Sequence, residues 1–226
     1  LPDTHKQILT TQYRMIENIG NLISKVFYRG IIDTGCNDDE KRHGLSRYVG
    51  KSIVWFDTSA NKKKSQKRTK GGSYINEEEK RIILEILDDL KSTGELKGLD
   101  IGIITGYSGQ KELLRKSIKA TGLDKIASKI DINTLDAFQG RENDIIIYST
   151  VRTRDSIGFQ KEKERVNVAF SRAKKLLIVC GDKNFFYNFD DQDNKFVEII
   201  DYISEEEECE IIQCDGGKLF ERESNS

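Results

Sequence analysis

Arg14 and Arg172 each sit in a short polar break beside apolar sequence. A guanidinium is a planar, permanently charged fork that matches phosphate oxygens. Placed near a γ-phosphate, two such groups would stabilise the charge that develops during phosphoryl transfer. They belong to two of three clusters: Gln12-Tyr13-Arg14-Met15, the run from Thr134 to Glu142, and the run from Val166 to Lys174. In these clusters Tyr13 offers a flat face for a base. Gly140 lets backbone approach a ligand closely, and Glu142 can accept hydrogen bonds from ribose hydroxyls. Taken singly, each residue has a plainer role, as a surface ion-pair partner or the edge of a core. Short motifs also match by chance, so their combination carries the weight.

The elements that must position these residues are short apolar strands alternating with helical patterns. Strands are expected at Ser52–Asp57, Ile101–Thr105, Ile130–Leu135, Asp144–Val151 and Leu176–Gly181. Asn76, followed by three glutamates, reads as a helix cap with acids in the first turn. Ile83, Ile86, Leu87 and Leu90 then recur at helical spacing. Ser108 is positioned to cap a helix carrying Leu113, Leu114 and Ile118, and another helix is expected over Glu164–Ala173. Strands apolar on both faces and separated by helices describe a parallel sheet covered on each side. In such a fold, functional loops gather at the carboxyl ends of the strands. Residues 60–72, with Lys62, Lys63, Lys64, Lys67, Arg68 and Lys70, read as a mobile loop, either a solvated charge run or a nucleic-acid contact. Residues 206–226 read as an edge strand at Ile211-Ile212 before a disordered tail.

The chain has 226 residues, 36% hydrophobic and 33% charged, enough for one core with solvated insertions. A net charge of -1 argues against a uniformly basic nucleic-acid binder, though cations can still line one face. Cys36, Cys180, Cys209 and Cys214 form no Cys-x-x-Cys pair, so zinc spacing is missing and no metal site is expected. Free thiols suit a reducing intracellular compartment, the cytoplasm being the simplest. No stretch is long and apolar enough to suggest a membrane span. Gly50-Lys51-Ser52 resembles the end of a phosphate-binding loop, but Leu45 stands where that loop needs glycine. A strand-like run follows where a helix should, so it reads as a strand-entry turn.

In order and spacing, the three clusters resemble motifs IV, V and VI of superfamily-1 helicases, especially the Upf-like branch. Ser73-Tyr74-Ile75-Asn76-Glu77 is similar to that branch's serine–asparagine–glutamate element. The run from Ile103 to Gln110 is similar to its threonine–proline–tyrosine strand end. The resemblance spans roughly Leu9 to Asp182. It implies a second RecA-like motor domain over residues 1–205, a P-loop NTPase fold without its own P-loop. Tyr13 would stack near adenine, Arg14 would reach the γ-phosphate and Arg172 would be the arginine finger. Gln139 and Gly140 would lie near the nucleotide, with Glu142 on the ribose. Thr105, Tyr107, Ser108 and Thr134 would contact single-stranded DNA or RNA. ATP and Mg2+ would bind only with the first RecA-like domain of the same polypeptide, so this chain alone should not hydrolyse ATP. Gly106 stands in place of the family's proline, and Ile16-Glu17 in place of its histidine–proline. The chain begins just before motif IV, as if cut from a longer protein. The other reading is a nucleic-acid-binding module without ATPase activity.

Overall fold

A computed structural model describes residues 10–37, 42–64, 66–96, 98–123, 130–138 and 140–220. In chain order the elements are β1 (Thr11–Gln12), α1 (Glu17–Tyr28), β2 (Asp33–Thr34), β3 (Ile53–Asp57), β4 (Lys67–Arg68) and β5 (Tyr74–Ile75). Next come α2 (Glu77–Ser92), β6 (Ile101–Thr105), α3 (Ser108–Thr121), β7 (Ile130–Thr134) and β8 (Asn143–Ser149). The chain continues with α4 (Lys163–Phe170), β9 (Ala173–Gly181), α5 (Lys183–Tyr187), α6 (Phe196–Glu205) and β10 (Cys209–Gln213). Six strands form one parallel sheet in the order β10-β3-β9-β8-β6-β7. This is the RecA-like α/β class expected from the sequence.

Strand side chains alternate between two cores, as the period of two requires. Ile53, Trp55, Ile146, Tyr148, Leu177 and Val179 face α1, α4 and α6. Val54, Phe56, Ile145, Ile147, Leu176 and Ile178 face α2 and α3 on the other side. Both layers exclude water, so the stretches 53–56, 145–148 and 176–180 are apolar on both faces. Asn76 caps α2 as expected, its side chain accepting from the N–H groups of Glu78 and Glu79.

The structure differs from expectation in several places. Ser108 is the first helical residue of α3, not its cap; Tyr107 holds the cap position without a side-chain cap bond. Ser73, from the β4–β5 turn, accepts the Gly109 N–H at 3.0 Å instead. The helix before β9 ends at Phe170, because Ala173 already pairs with Asn143 in the sheet. The second half of the basic segment, read as a mobile loop, is a short hairpin in which β4 pairs antiparallel with β5; Asn61 to Lys64 form a turn ahead of it. The terminal strand β10 joins the main sheet beside β3, so the sheet extends past residue 205. Residues 221–226, read as a tail, lie outside the described residues. Gly50 does enter a strand through a turn, with a φ of 71°.

Candidate functional site

The turn that presents Tyr13 and Arg14 is built by Gln12. Its Oε1 accepts the N–H groups of Arg14 and Met15, both at 2.8 Å. Its Nε2 donates to Met15 O at 3.0 Å and to Thr34 Oγ1 at 2.8 Å. Met15 and Ile16 are buried, and the Ile16 N–H donates to Lys174 O at 2.9 Å. With its neighbours pinned inward and tied to the start of β9, Tyr13 is left 69% exposed.

Arg14 reaches across to the run after β7. Its Nε donates to Glu142 Oε2 at 2.7 Å, and its Nη1 to Ser171 O at 3.3 Å. Glu142 is placed by a 3-10 turn, Asp136–Phe138, whose Phe138 is fully buried, and by Gly140 with a φ of 84°. A side chain at Gly140 would be strained at that backbone angle. Gln139 lies outside the described residues. Arg172 follows α4 and is held by its main chain: its N–H donates to Ala169 O and its carbonyl accepts from Asn143 N–H. Burial, and secondly the charge of Arg14, lower the Arg172 pKa, while Glu142 opposes them. The guanidinium stays charged all the same, since its starting value is so high. Its buried Nε has no hydrogen-bond partner among the described residues. Two guanidiniums and one carboxylate from three separate runs thus lie together. That arrangement suits an anion with several oxygens.

The residues proposed for a nucleic-acid strand are divided by burial. Thr105 is completely buried at the end of β6, its hydroxyl accepting the Tyr107 N–H at 3.4 Å. The Tyr107 ring is also buried, 5.6 Å from Tyr74 and from Phe159. Burial pushes the Tyr107 hydroxyl pKa up to about 12, against the pull of Arg152. Side-chain contact with a strand from either residue is therefore not what this geometry offers; both instead shape the surface. Ser108 is exposed and Thr134 half-buried. What the sequence reading missed here is Phe159, 45% exposed against Tyr107, with Arg165 over its ring at 5.1 Å. It also missed Arg152, which stacks on Tyr74 at 4.2 Å and donates to Ser156 O at 2.7 Å.

Beneath this surface lies a buried carboxylate, Glu79. It accepts from Ser149 Oγ at 2.6 Å, Thr150 Oγ1 at 3.2 Å, Asn76 Nδ2 at 3.1 Å, and Val151 N–H at 2.9 Å to both oxygens. Burial pushes its pKa up to about 8, although the bonds from Ser149, Val151 and Thr150 pull the other way. Val151 stands at a φ of 69°. A β-branched residue there is strained by about 1–3 kcal/mol and persists only when its surroundings hold it. Glu79 holds its N–H, and Asn76 Nδ2 donates to its carbonyl at 3.2 Å. In the sequence Glu79 was visible only as one of three acids in the first turn of a helix capped by Asn76; the reciprocal bond of a capping box is absent, since the Asn76 N–H donates to Gln110 Oε1 at 2.8 Å.

A family described as an AAA domain matches residues 2–184. The chain belongs to this family. Its sequence relatives are helicases, so it is a domain of the superfamily-1 helicase class. It is 36% identical over 185 residues to "Helicase SEN1" of Saccharomyces cerevisiae, covering 77% of this chain and 8% of that protein. It is 32% identical over 181 residues to the "Regulator of nonsense transcripts 1 homolog" of Neurospora crassa, covering 77% of this chain and 16% of that protein. It is 33% identical over 220 residues to an ATP-dependent helicase of Methanocaldococcus jannaschii, covering 91% of this chain and 31% of that protein. The chain therefore spans less than a third of each of these relatives. Among the described residues no helix is long and apolar enough to cross a membrane.

Proposed function

We propose that this chain is the second motor domain of an ATP-dependent helicase or translocase of the Upf-like branch. The observation that carries the reading is the convergence of Arg14, Glu142 and the half-buried Arg172, whose Nε is buried and has no partner among the described residues. In this reading ATP supplies the phosphoryl group, and the first motor domain supplies the phosphate loop and the magnesium carboxylate. This chain's residues fit the nucleotide's phosphate end, because a desolvated guanidinium with an unsatisfied Nε gains a partner when phosphate oxygens arrive. Arg172 then offsets charge that grows in the transition state, and Arg14 holds the same phosphate. Tyr13, displayed on its Gln12-braced turn, stacks on the base, while Glu142 binds the ribose and Gly140 lies near the nucleotide. The track is a single strand of DNA or RNA held mainly through its backbone. Ser108, Thr134 and Phe159 meet it; Thr105 and Tyr107 shape the surface from below.

The deciding experiment uses the complete protein. Arg172→Ala is expected to lower ATP turnover on the order of a thousandfold while nucleotide affinity changes little. A folded Arg172→Ala protein with wild-type turnover would remove the finger assignment. If turnover proves dispensable for every function while strand binding persists, the module without ATPase activity is the correct description.

A further inference from the structure

The basic hairpin takes no part in the phosphate-facing arrangement, yet it is not built like a solvated charge run. From Asn61 to Gly72 the sequence carries Lys62, Lys63, Lys64, Lys67, Arg68 and Lys70 and no acidic residue. Its backbone is fastened at successive points. Gln66, 2% exposed, makes a reciprocal pair with Thr153: its N–H donates to Thr153 Oγ1 at 3.2 Å, and its Oε1 accepts the Thr153 N–H at 2.9 Å. Asn76 Nδ2 donates to Lys64 O at 2.8 Å. Lys64 Nζ turns inward to Ser59 O and Asp182, both at 2.8 Å. Gly72 N–H closes the tip on Thr69 O at 3.0 Å.

One cation is thus spent on fixing the hairpin. Lys62, Lys63, Lys67, Arg68 and Lys70 remain exposed, and among the described residues none of them pairs with a carboxylate. The anchor matters for placement. Thr153 lies in the loop after β8, between Arg152 and the exposed Arg154, and β5 carries the Tyr74 ring on which Arg152 stacks. The hairpin is therefore bolted beside the surface assigned to the strand. Clustered cations without internal partners raise the local positive potential and attract a polyanion. A chain whose net charge is -1 can concentrate that potential here only by placing its acids elsewhere.

We infer that this hairpin is a second nucleic-acid contact, gripping the sugar-phosphate backbone beside the track. The inference rests on the strand reading above only for where the nucleic acid runs. Its ligand chemistry is a row of phosphodiesters, from a single strand or from the flanking duplex.

The test is a salt titration of binding by the 226-residue chain. One probe is a single-stranded oligonucleotide, and the other is the same strand annealed along half its length. Replacing Lys62, Lys63, Lys67 and Lys70 by Gln leaves Gln66, Lys64 and Arg68 in place. The melting temperature should hold, since these four side chains have no carboxylate partner to lose. The slope of log K against log salt should become shallower by about 0.7 for each phosphate no longer neutralised on single strand, or about 0.9 on duplex, so a total of about 2.8 or about 3.6 respectively marks all four. The four-fold Lys→Arg variant should retain the original slope. A variant set of Phe159→Ala and Ser108→Ala separates this proposal from the track reading. If the Gln variant binds with wild-type slope while Phe159→Ala weakens binding, the hairpin inference falls and the track stands. If the Gln variant loses slope while the Phe159 and Ser108 variants bind normally, the hairpin stands and the track falls. Failure of the unmodified chain to bind either probe overturns both.

Discussion

Glu142 accepts Arg14 Nε at 2.7 Å while also bordering the proposed sugar position. The pair is 40% and 47% exposed, and open ion pairs contribute only about 0–1 kcal/mol to stability. Its value is then positional: the carboxylate offsets one of two neighbouring guanidiniums and aims Arg14. Glu142→Ala should leave the melting temperature nearly unchanged yet raise the apparent KM for ATP by roughly tenfold, an interaction of about 1.4 kcal/mol. If melting drops and activity falls only in proportion to unfolded protein, Glu142 is a structural residue. On the proposed reading Arg172 acts on charge that develops in the transition state, so its variants are expected to behave differently. Arg172→Lys should recover little of the turnover lost in Arg172→Ala, since an ammonium lacks the planar fork. A lysine variant restored to near wild-type turnover would show that point charge alone suffices.

At the level of elements, the Asn76–Glu79 corner joins α2 to the end of β8 and fixes Val151. Glu79→Ala would leave the Val151 N–H, Ser149, Thr150 and Asn76 short of a buried partner, at about 1–3 kcal/mol for each group left unsatisfied. A loss of at least ~3 kcal/mol in chemical denaturation is expected, and a near-neutral result would show that this corner is not what holds Val151. Glu79→Gln retains the shape and most bonds. The pH dependence separates the two forms. The folded pKa near 8 lies above the ordinary value of about 4.3, so between them the folded chain keeps a proton the unfolded chain has lost. Glu79 therefore lowers stability progressively as pH rises through that window. Glu79→Gln, which mimics the protonated acid, should flatten that decline; an identical pH slope in both proteins would contradict the burial argument. The strands and the Asn76 cap were legible from the sequence because they depend on local pattern. The Glu79 corner was half legible: the sequence placed Glu79 in the first turn after the Asn76 cap, but its burial against Val151 depends on a contact 72 residues away. Burial of Thr105 and Tyr107 was not legible, because neighbours from β5 and the turn before α4 cover them. The hairpin was hidden for the same reason: its anchor, Gln66 to Thr153, spans 87 residues.

The molecule as a whole places its two sets of candidate residues at opposite ends of a sheet whose two faces are already covered by helices. Ser108 and Thr134 lie at the carboxyl ends of β6 and β7, whereas Arg14, Glu142 and Arg172 gather outside the amino ends of β8 and β9, not at the carboxyl ends expected from the sequence. Such a surface can hold one side of a triphosphate, but phosphoryl transfer also needs a cradle for the β- and γ-phosphates and a metal carboxylate. The one Gly-Lys-Ser in the sequence enters β3 from a 3-10 turn and cannot supply that cradle. The 226-residue chain should accordingly show no ATP turnover above background in a phosphate-release assay. Adding the purified first motor domain in trans, at concentrations that favour association, should produce turnover that disappears with Arg172→Ala. Turnover should also rise when a single-stranded oligonucleotide is present, because a strand bound across both domains stabilises the closed cleft. Robust magnesium-dependent turnover by this chain alone, surviving Arg172→Ala, would mean that the phosphate grip lies within it and that the half-site account is wrong.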